Sequence, residues 1–469
     1  MKPVTLKELE RIACGRIIQG DPGTVLSSVS TDTRRLKKGE IFFALSGERH
    51  DAHNFLAQAA GAGAGCLVVS RTADLPAGVP VLAVENTLAA LQALAAFNRK
   101  SCGARVVAVT GSTGKTTTKD MTASILSTRL RTLKSEGNFN NEIGLPLTLL
   151  RLDETCEIAV VEMAMRGAGE IDALCRIAKP DCAVITNIGE AHLELLGTVS
   201  NIAAAKGEVL EHIPAGGFAL LNAEAPFIRR EAGRCRGKVI YYGIDCPADI
   251  RAANIRPEGR GSRFEVILDG ERREFFLPVP GRHNVMNALA AIGVARELGL
   301  TWEEVARGLA AVTLTGMRLE IIEAKNLRII NDAYNANPAS AKAALQVLKE
   351  MAGGRRAVAV MGNMLELGPR AAEGHREVGE AAAGARVSCL VTVGDLAAGI
   401  AEGALDAGLP AERIFRCADN MQAAGILEEL IRDGDVVLVK GSRGMKMEEI
   451  VRCLLKSREP ALLQEAGPG

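Results

Sequence analysis

The stretch VVAVTGSTGKTTTKDM, residues 106–121, decides how the rest of the chain is read. An apolar run ends in a glycine-rich turn, and Gly-Lys-Thr then opens a helical segment. Glycines at 111 and 114 let the backbone wind closely around oxygen atoms, and the N–H groups of the turn and helix start favour negative charge. The turn is therefore expected to hold nucleotide phosphates through Gly111, Ser112, Thr113, Gly114, Lys115, Thr116 and Thr117. Lys115 is placed to reach the β- and γ-phosphates, and the Thr116 hydroxyl to meet Mg²⁺. The usual phosphate-loop pattern begins with a glycine where this chain has Val109, so the loop is a shortened form. The alternative is an ordinary strand-to-helix turn, which the strand, turn and helix context disfavours.

The chain around this loop has 469 residues, which at roughly 150 residues per domain predicts about three domains. It is 48% hydrophobic but only 3% aromatic, so Leu, Val, Ile and Ala must fill its cores. Lys plus Arg equals Asp plus Glu at 56 each, a balance that gives no support to a nucleic-acid partner or an acidic-membrane surface. The 11 cysteines include no CxxC pair, which suggests reduced thiols. MKPVTLKELERIACGR lacks an apolar signal-peptide core, and no run is long enough to span a bilayer. A cytoplasmic protein is expected.

Outward from the loop, three blocks emerge, all α/β. Up to about residue 83 the strand-like runs EIFFAL, CLVVS and VPVLAV flank a small helix in NFLAQAAGAGA, and TLAALQALAAFNRK leads onward as a helix. The second block alternates apolar strands (RVVAVT, EIAVVEMA, DCAVITNIG, GFALLN, KVIYYG) with helices, the pattern of a buried parallel sheet. SRFEVILDGERREFFLPVPG reads instead as a hairpin turning at Asp269-Gly270. The third block begins near Leu314, with strands LRIIND, RAVAVMG, VSCLVTVG and DVVLVKG; Asn337 and Pro338 open one of its helices. The final LLQEAGPG reads as a frayed tail, and there is no tandem repeat. The expected domains are 1–83, 84–314 and 315–458: a small N-terminal α/β domain, a central parallel-sheet domain carrying the phosphate loop, and a C-terminal Rossmann-like domain.

Three downstream residues are candidates for metal chemistry. Glu162 ends the strand IAVVE, at the edge where open α/β sheets bind ligands, and an acid there can hold the nucleotide's Mg²⁺; a solvated strand-end acid is the plainer reading. His192 follows another strand in GEAHLE, as a ligand, a catalytic group or simply an exposed loop histidine. Lys206, in SNIAAAKGEVLEHI, shares a helix face with Ile202, Val209 and Ile213, and Ser200 is expected to cap that helix. Its stem could cover apolar surface with the ammonium in water. Alternatively the amine is desolvated and neutral, able to add CO₂ and become an anionic carbamate ligand.

Taken together, these motifs make the chain resemble the Mur ligase family of ATP-dependent amide-bond-forming enzymes, along nearly its whole length. TGSTGKTTT is similar to the family's phosphate loop, Glu162 and His192 to its metal-binding acid and histidine, and Lys206 in AAAKGE to its carbamylated lysine. GRHNVMNALAA resembles the segment whose asparagines, here Asn284 and Asn287, approach the nucleotide. GMRLE carries the matching Arg318, and NDAYNANP the ATP-side residues Asp332, Tyr334, Asn335 and Asn337. NDAYNANP and VMGNMLELG are most like the member that adds D-alanyl-D-alanine to UDP-N-acetylmuramoyl-tripeptide, and no DNPR segment of the third-residue-adding member is present. The first block resembles the family's UDP-binding module, with Thr31, Asp32 and Arg34 in the matching stretch; GNFNNEIGLPLTLL resembles the loop that meets the muramoyl group, with Asn138 and Asn141. Some members have a tyrosine four residues before the modified lysine, where this chain has Ile202.

The resemblance implies ATP, two Mg²⁺ ions and a lysine carbamylated by CO₂. It implies UDP-N-acetylmuramoyl-tripeptide and D-alanyl-D-alanine as substrates, and a monomer is expected. ATP would activate the tripeptide carboxylate as an acyl phosphate, which the dipeptide amine then attacks. Lys115, Thr116 and Glu162 would serve the first ion and the phosphates, and His192 and Lys206 the second ion. Arg318 and Asp332 would fix the nucleotide as the third domain closes. Two further segments are weaker candidates for substrate contact: VKGSRGMKMEE with Lys440, Ser442 and Arg443, and ELGPRAAEGH with Glu366 and His375. The competing readings are a phosphate-loop kinase or ATPase, a non-catalytic nucleotide-sugar binder, and a family member with another acceptor.

Overall fold

The computed structural model describes residues 1–47, 50–191 and 193–456; His192 and the C-terminal tail lie outside the described residues. Strands Arg105–Thr110 and Ile158–Glu162 are apolar along almost their whole length and pair in parallel, as strands covered on both faces do. They lie near one end of a nine-stranded sheet. Arg105–Thr110 has Ile158–Glu162 on one side and Cys182–Ile185 on the other, so the strand order reverses at this point. Ligands of open α/β sheets bind beyond the carboxyl ends of strands at such a reversal. The sheet continues through Phe218–Asn222 and Lys238–Gly243.

The predicted hairpin is the far edge of this same sheet. Gly261–Leu268 and Glu271–Leu277 pair antiparallel around Asp269 and Gly270, whose φ angles of 51° and 80° suit a tight two-residue turn. A strand absent from the sequence reading, Ile250–Glu258, joins the hairpin to the parallel part. Its outer residues are polar and it carries Pro257, so it lacks the apolar run of the other strands.

The first block forms a five-stranded sheet whose central strands Cys66–Val69 and Ile41–Phe43 are fully buried. The third forms a six-stranded sheet, parallel except for its edge strand Glu320–Ala324. That edge strand and Ile414–Cys417 are short and half-exposed, which explains their weak signal. One apolar core runs without a break from the first sheet into the central one, through helix Thr87–Cys102: Leu6, Phe43, Leu94, Val106 and Ile202 all belong to it. The cores of the third sheet draw only on residues between Leu319 and Leu454.

One local expectation is corrected. The helix bearing Lys206 runs Val199–Glu211, and its cap is Thr198, not Ser200. Thr198 has the extended backbone a cap requires, and its hydroxyl accepts from Asn201 N at 3.1 Å. Ser200 lies inside the first turn, where its hydroxyl accepts from Arg230 Nη1 at 2.9 Å.

Candidate active site

Strand Arg105–Thr110 runs into a turn whose glycines are structural requirements. Gly111 and Gly114 have φ angles of 148° and 76°. A Cβ on Gly111 would lie 1.9 Å from Thr186 Oγ1, and one on Gly114 2.5 Å from Asn287 Oδ1. The loop after strand Cys182–Ile185 braces the turn: Thr113 N donates to Asn187 Oδ1 at 2.7 Å, and Asn187 Nδ2 donates to Thr113 Oγ1 at 2.7 Å. Ser112 N donates to Asn187 O at 3.0 Å, and Gly189 N to Ser112 Oγ at 2.9 Å. Helix Lys115–Leu126 starts directly after the turn, so its first N–H groups have no acceptor within the helix.

Lys115 folds back on the turn, with Nζ donating to Gly111 O at 2.8 Å and Ser112 O at 3.4 Å. Burial lowers its pKa; the Glu162 carboxylate opposes that shift and Arg318 adds to it. Glu162 is 2% exposed, and both of its oxygens are engaged. Oε2 accepts from Thr116 Oγ1 at 2.7 Å, and Oε1 from Asn140 Nδ2 at 2.7 Å. A hydroxyl and a carboxylate side by side are hard oxygen donors of the type Mg²⁺ takes, with phosphate and water oxygens filling the remaining positions. Among the described residues no three His, Cys, Asp or Glu gather into a metal cluster, so such an ion would depend on its nucleotide.

Lys206 is 1% exposed, and Ile202, Val209 and Ile213 on its face are buried with it. The arrangement with its ammonium in water is therefore not adopted. Burial drives its pKa well below the ordinary 10.5, and the nearby charge of Lys115 pushes it the same way; among the described residues no carboxylate offsets the shift. Both effects favour the uncharged form of this buried amine.

The third sheet supplies the opposite wall. The Arg318 guanidinium lies 3.7 Å from the centre of the Tyr334 ring. Lys440, 2% exposed, donates to Asp332 Oδ2 at 2.5 Å and Asn335 O at 2.9 Å. Asn337 caps helix Pro338–Ala352 through its Oδ1, which accepts from Ser340 N at 2.9 Å. Between the walls, burial lowers the pKa of His283 to about 4, with Asp332 opposing and Lys440 reinforcing, so its ring is neutral. The carboxyl ends of the two sheets thus face each other across one cavity of about 660 Å³.

Residues 109–295 match the Mur ligase middle domain, and residues 317–443 match the Mur ligase, glutamate ligase domain. The chain is 42% identical to the UDP-N-acetylmuramoyl-tripeptide--D-alanyl-D-alanine ligase of Bacillus subtilis, over 92% of this chain and 94% of that protein. This chain belongs to the Mur ligase family. Among solved structures, it is similar to MurF from Acinetobacter baumannii, with a TM-score of 0.88 and 34% identity over 97% of this chain and 99% of that one. It is also similar to a MurF ligase from Thermotoga maritima in complex with ADP, with a TM-score of 0.80 and 29% identity over 92% of this chain and 97% of that one.

The Mur ligase cavity gathers most, but not all, of the residues singled out in the sequence. Ser112 through Thr117, Asn138, Glu162, Asn284, Asn287, Arg318, Asp332, Tyr334, Asn335 and Asn337 line it. Gly111 shapes the turn without lining the cavity, and Lys206 feels the charge of Lys115 without reaching the wall. Asn141 does not line it: its Oδ1 accepts from Gly144 N at 2.9 Å, holding the start of helix Gly144–Leu149. Its neighbour Asn140 is the residue that reaches Glu162. Thr31, Asp32 and Arg34 stand apart in the first block; Arg34 Nη2 donates to Asp32 Oδ2 at 2.7 Å, a pairing that holds the Asp32 carboxyl at a pKa of about 2. Arg443 is outside the cavity and paired with Glu448 at 2.9 Å. His375 is structural: Nδ1 donates to Ala371 O at 2.6 Å and Nε2 accepts from Met364 N at 2.9 Å. Asn140, Asn187 and His283 were not singled out from the sequence, although each lies within a segment already quoted for its strand or motif.

Proposed function

We propose that this chain is an ATP-dependent ligase that joins D-alanyl-D-alanine to the peptide carboxylate of UDP-N-acetylmuramoyl-tripeptide, a step of peptidoglycan synthesis on which cell shape and division depend. The observation that carries the reading is the single cavity in which a phosphate loop, the Thr116–Glu162 oxygen pair and the strand ends of the third sheet meet. The ligase named for Bacillus subtilis, matched along nearly the whole chain, supports the substrate assignment.

A carboxylate resists attack by an amine because its charge repels electrons and its oxygens are poor leaving groups. Transfer of the ATP γ-phosphoryl group to the tripeptide carboxylate gives an acyl phosphate and ADP. The dipeptide amine then adds to the acyl carbon, and the tetrahedral adduct expels phosphate. The chain's task is alignment and charge neutralisation. Lys115 exchanges the carbonyls of Gly111 and Ser112 for phosphate oxygens. Thr116 and Glu162 would hold Mg²⁺, and Asn140 keeps the Glu162 carboxylate oriented. When bound, Mg²⁺ neutralises phosphate charge and draws the reacting oxygens together. Lys206, a buried amine whose uncharged form its surroundings favour, would be suited to take up CO₂, and with His192 would hold a second ion.

Arg318, Asp332, Tyr334, Asn335 and Asn337 approach the nucleotide from the third block, and Asn284 and Asn287 from the central one. Thr31, Asp32 and Arg34 would meet the UDP group, Asn138 and Asn141 the muramoyl side, and Arg443 the peptide substrates. We read the three sheets as three domains, 1–83, 84–314 and 315–458. The third closes on the central one to exclude water. No helix of the described residues is long and apolar enough to cross a membrane, and we place the enzyme in the cytoplasm as a monomer.

The decisive assay is ADP release against a panel of UDP-muramoyl peptides and dipeptides. Release should require both the tripeptide and D-alanyl-D-alanine; release that ignores the dipeptide would favour a kinase or ATPase. X-ray scattering should show contraction when an ATP analogue and the UDP-tripeptide are added, and identical curves would count against closure.

A further inference from the structure

Arg318 occupies the connection between the last helix of the central block, Trp302–Ala310, and the first strand of the third, Glu320–Ala324. Its backbone is unusual. Met317 and Leu319, on either side of it, have φ angles of 60° and 51°, the left-handed region that non-glycine residues disfavour. Such a conformation persists only where the surroundings over-determine it. The connection is tied at both ends by a carboxylate. On the third-block side, Leu319 N donates to Asp332 Oδ1 at 3.1 Å. On the central side, Thr315 N and Thr315 Oγ1 both donate to Asp120 Oδ2 at 2.8 Å.

Asp120 lies on the helix that begins at Lys115, five positions beyond it, and is 1% exposed. Its other oxygen accepts from Lys134 Nζ at 2.7 Å, and Lys119 Nζ is 3.4 Å away. Although burial raises its pKa, Lys119 first and then the hydrogen bonds from Lys134 and Thr315 lower it overall, so it remains a carboxylate. The network also reaches the metal-side acid: Lys119 Nζ donates to Ser135 O at 2.8 Å, and Ser135 Oγ accepts from Glu162 N at 3.2 Å. One buried anion therefore links the phosphate-loop helix, the Glu162 strand and the connection that carries Arg318.

We propose that Asp120, acting through Thr315, is a positioning residue that sets the Arg318 guanidinium against the bound nucleotide. The phosphate-loop helix then fixes the loop at its start and Arg318 through Asp120, so the two sides of the nucleotide keep one spacing. This rests on the nucleotide-binding part of the proposed function but not on amide formation.

The test is a double-mutant cycle on the full chain, read as calorimetric affinity for a non-hydrolysable ATP analogue with Mg²⁺. Thr315→Val, which keeps the backbone bond and deletes the hydroxyl, should weaken binding roughly three- to tenfold, the scale of one lost hydrogen bond. Thr315→Ser should restore it. Thr315→Val combined with Arg318→Ala should bind no more weakly than Arg318→Ala alone, because the first change acts through the second residue. Thr315→Ala replaces the valine variant if that variant melts early. Wild-type affinity in the Thr315 variants, full additivity with Arg318→Ala, or no effect of Arg318→Ala itself would overturn the proposal. Failure of dipeptide-dependent ADP release alongside an intact Thr315 effect would overturn the ligase reading alone.

Discussion

The chain has two junctions between sheets, and they are made of different materials. The first sheet and the central one share a continuous apolar core, in which Leu6 and Phe43 of one and Leu94 and Leu145 of the other are all fully buried. The central and third sheets keep separate cores and, beyond the connection that Asp120 fixes, meet through polar groups: the Arg370–Glu190 ion pair and the cavity between them. A close-packed apolar junction has one arrangement and resists sliding, whereas a polar one can exchange its partners for water or ligand and tolerates relative motion. The contrast assigns fixed geometry to the end of the molecule built from the first two sheets and freer relative movement to the end where the central and third sheets meet.

The largest expected effects fall at the polar junction's chemistry. Lys115→Ala and Lys206→Ala should each lower the rate of ligation by about a thousandfold or more, about 4 kcal/mol of transition-state stabilisation. Steady-state ADP release checks both, and added bicarbonate should not rescue Lys206→Ala. If Lys206→Ala and bicarbonate depletion both leave full activity, the carbamate assignment fails. At the apolar junction Leu94→Ala should cost about 2–5 kcal/mol of stability, the price of a core cavity. Chemical denaturation measures this, and the KM for ATP should stay unchanged in the folded enzyme. A shifted KM with unchanged stability would mean that this junction also moves.

Lys206 serves the polar junction while its helix packs into the apolar core of the fixed one, and the cost of burying its amine should appear as a pH dependence. Folded Lys206 titrates well below 10.5, so between its depressed value and 10.5 the unfolded chain binds one more proton than the folded one. Stability should therefore rise with pH across that window, by up to about 1.4 kcal/mol per pH unit from this group, and level off above it. Urea unfolding in CO₂-free buffer tests the sign: Lys206→Met should lose this part of the slope, and an unchanged slope would place the amine in a charged, compensated setting.

What the sequence made legible follows from how local each signal is. Apolar strand runs, the glycines of residues 111 and 114, the Asp269-Gly270 turn and the Asn337-Pro338 helix start carry their own physics, and the structure has each of them. The braces do not. Asn187 holds the phosphate loop from 74 residues away, and Asp120 meets Thr315 across 195. Nothing in the local composition of either partner announces the pairing. The shared apolar core was equally silent, because helix Thr87–Cys102 reads the same whether it ends one domain or fastens two together. Asn140 and Asn141 differ only by which way each side chain points, and adjacent asparagines in a loop give no period from which to decide it.

The smallest expected effect is also the most specific to the polar junction. Arg370, on the third block, pairs with Glu190 of the central block, and Gly368 packs against Glu194 a few residues further on. In sequence, His192 lies between these two glutamates. Arg370 is about one-third exposed and also bonds Glu377 at 2.6 Å, so the cross-junction pair is half-solvated and contributes at most about 1 kcal/mol. Removing it should therefore change catalysis only a few-fold. Arg370→Ala and Glu190→Ala should each lower kcat by that amount, and together by no more than either alone. They should leave the melting temperature within about a degree, since neither core contains these residues. The same pair should also matter less at high ionic strength, where half-exposed charges are screened. Additive losses in the double variant, or a salt dependence that survives both substitutions, would mean that the two residues serve separate tasks and that the junction closes on other contacts.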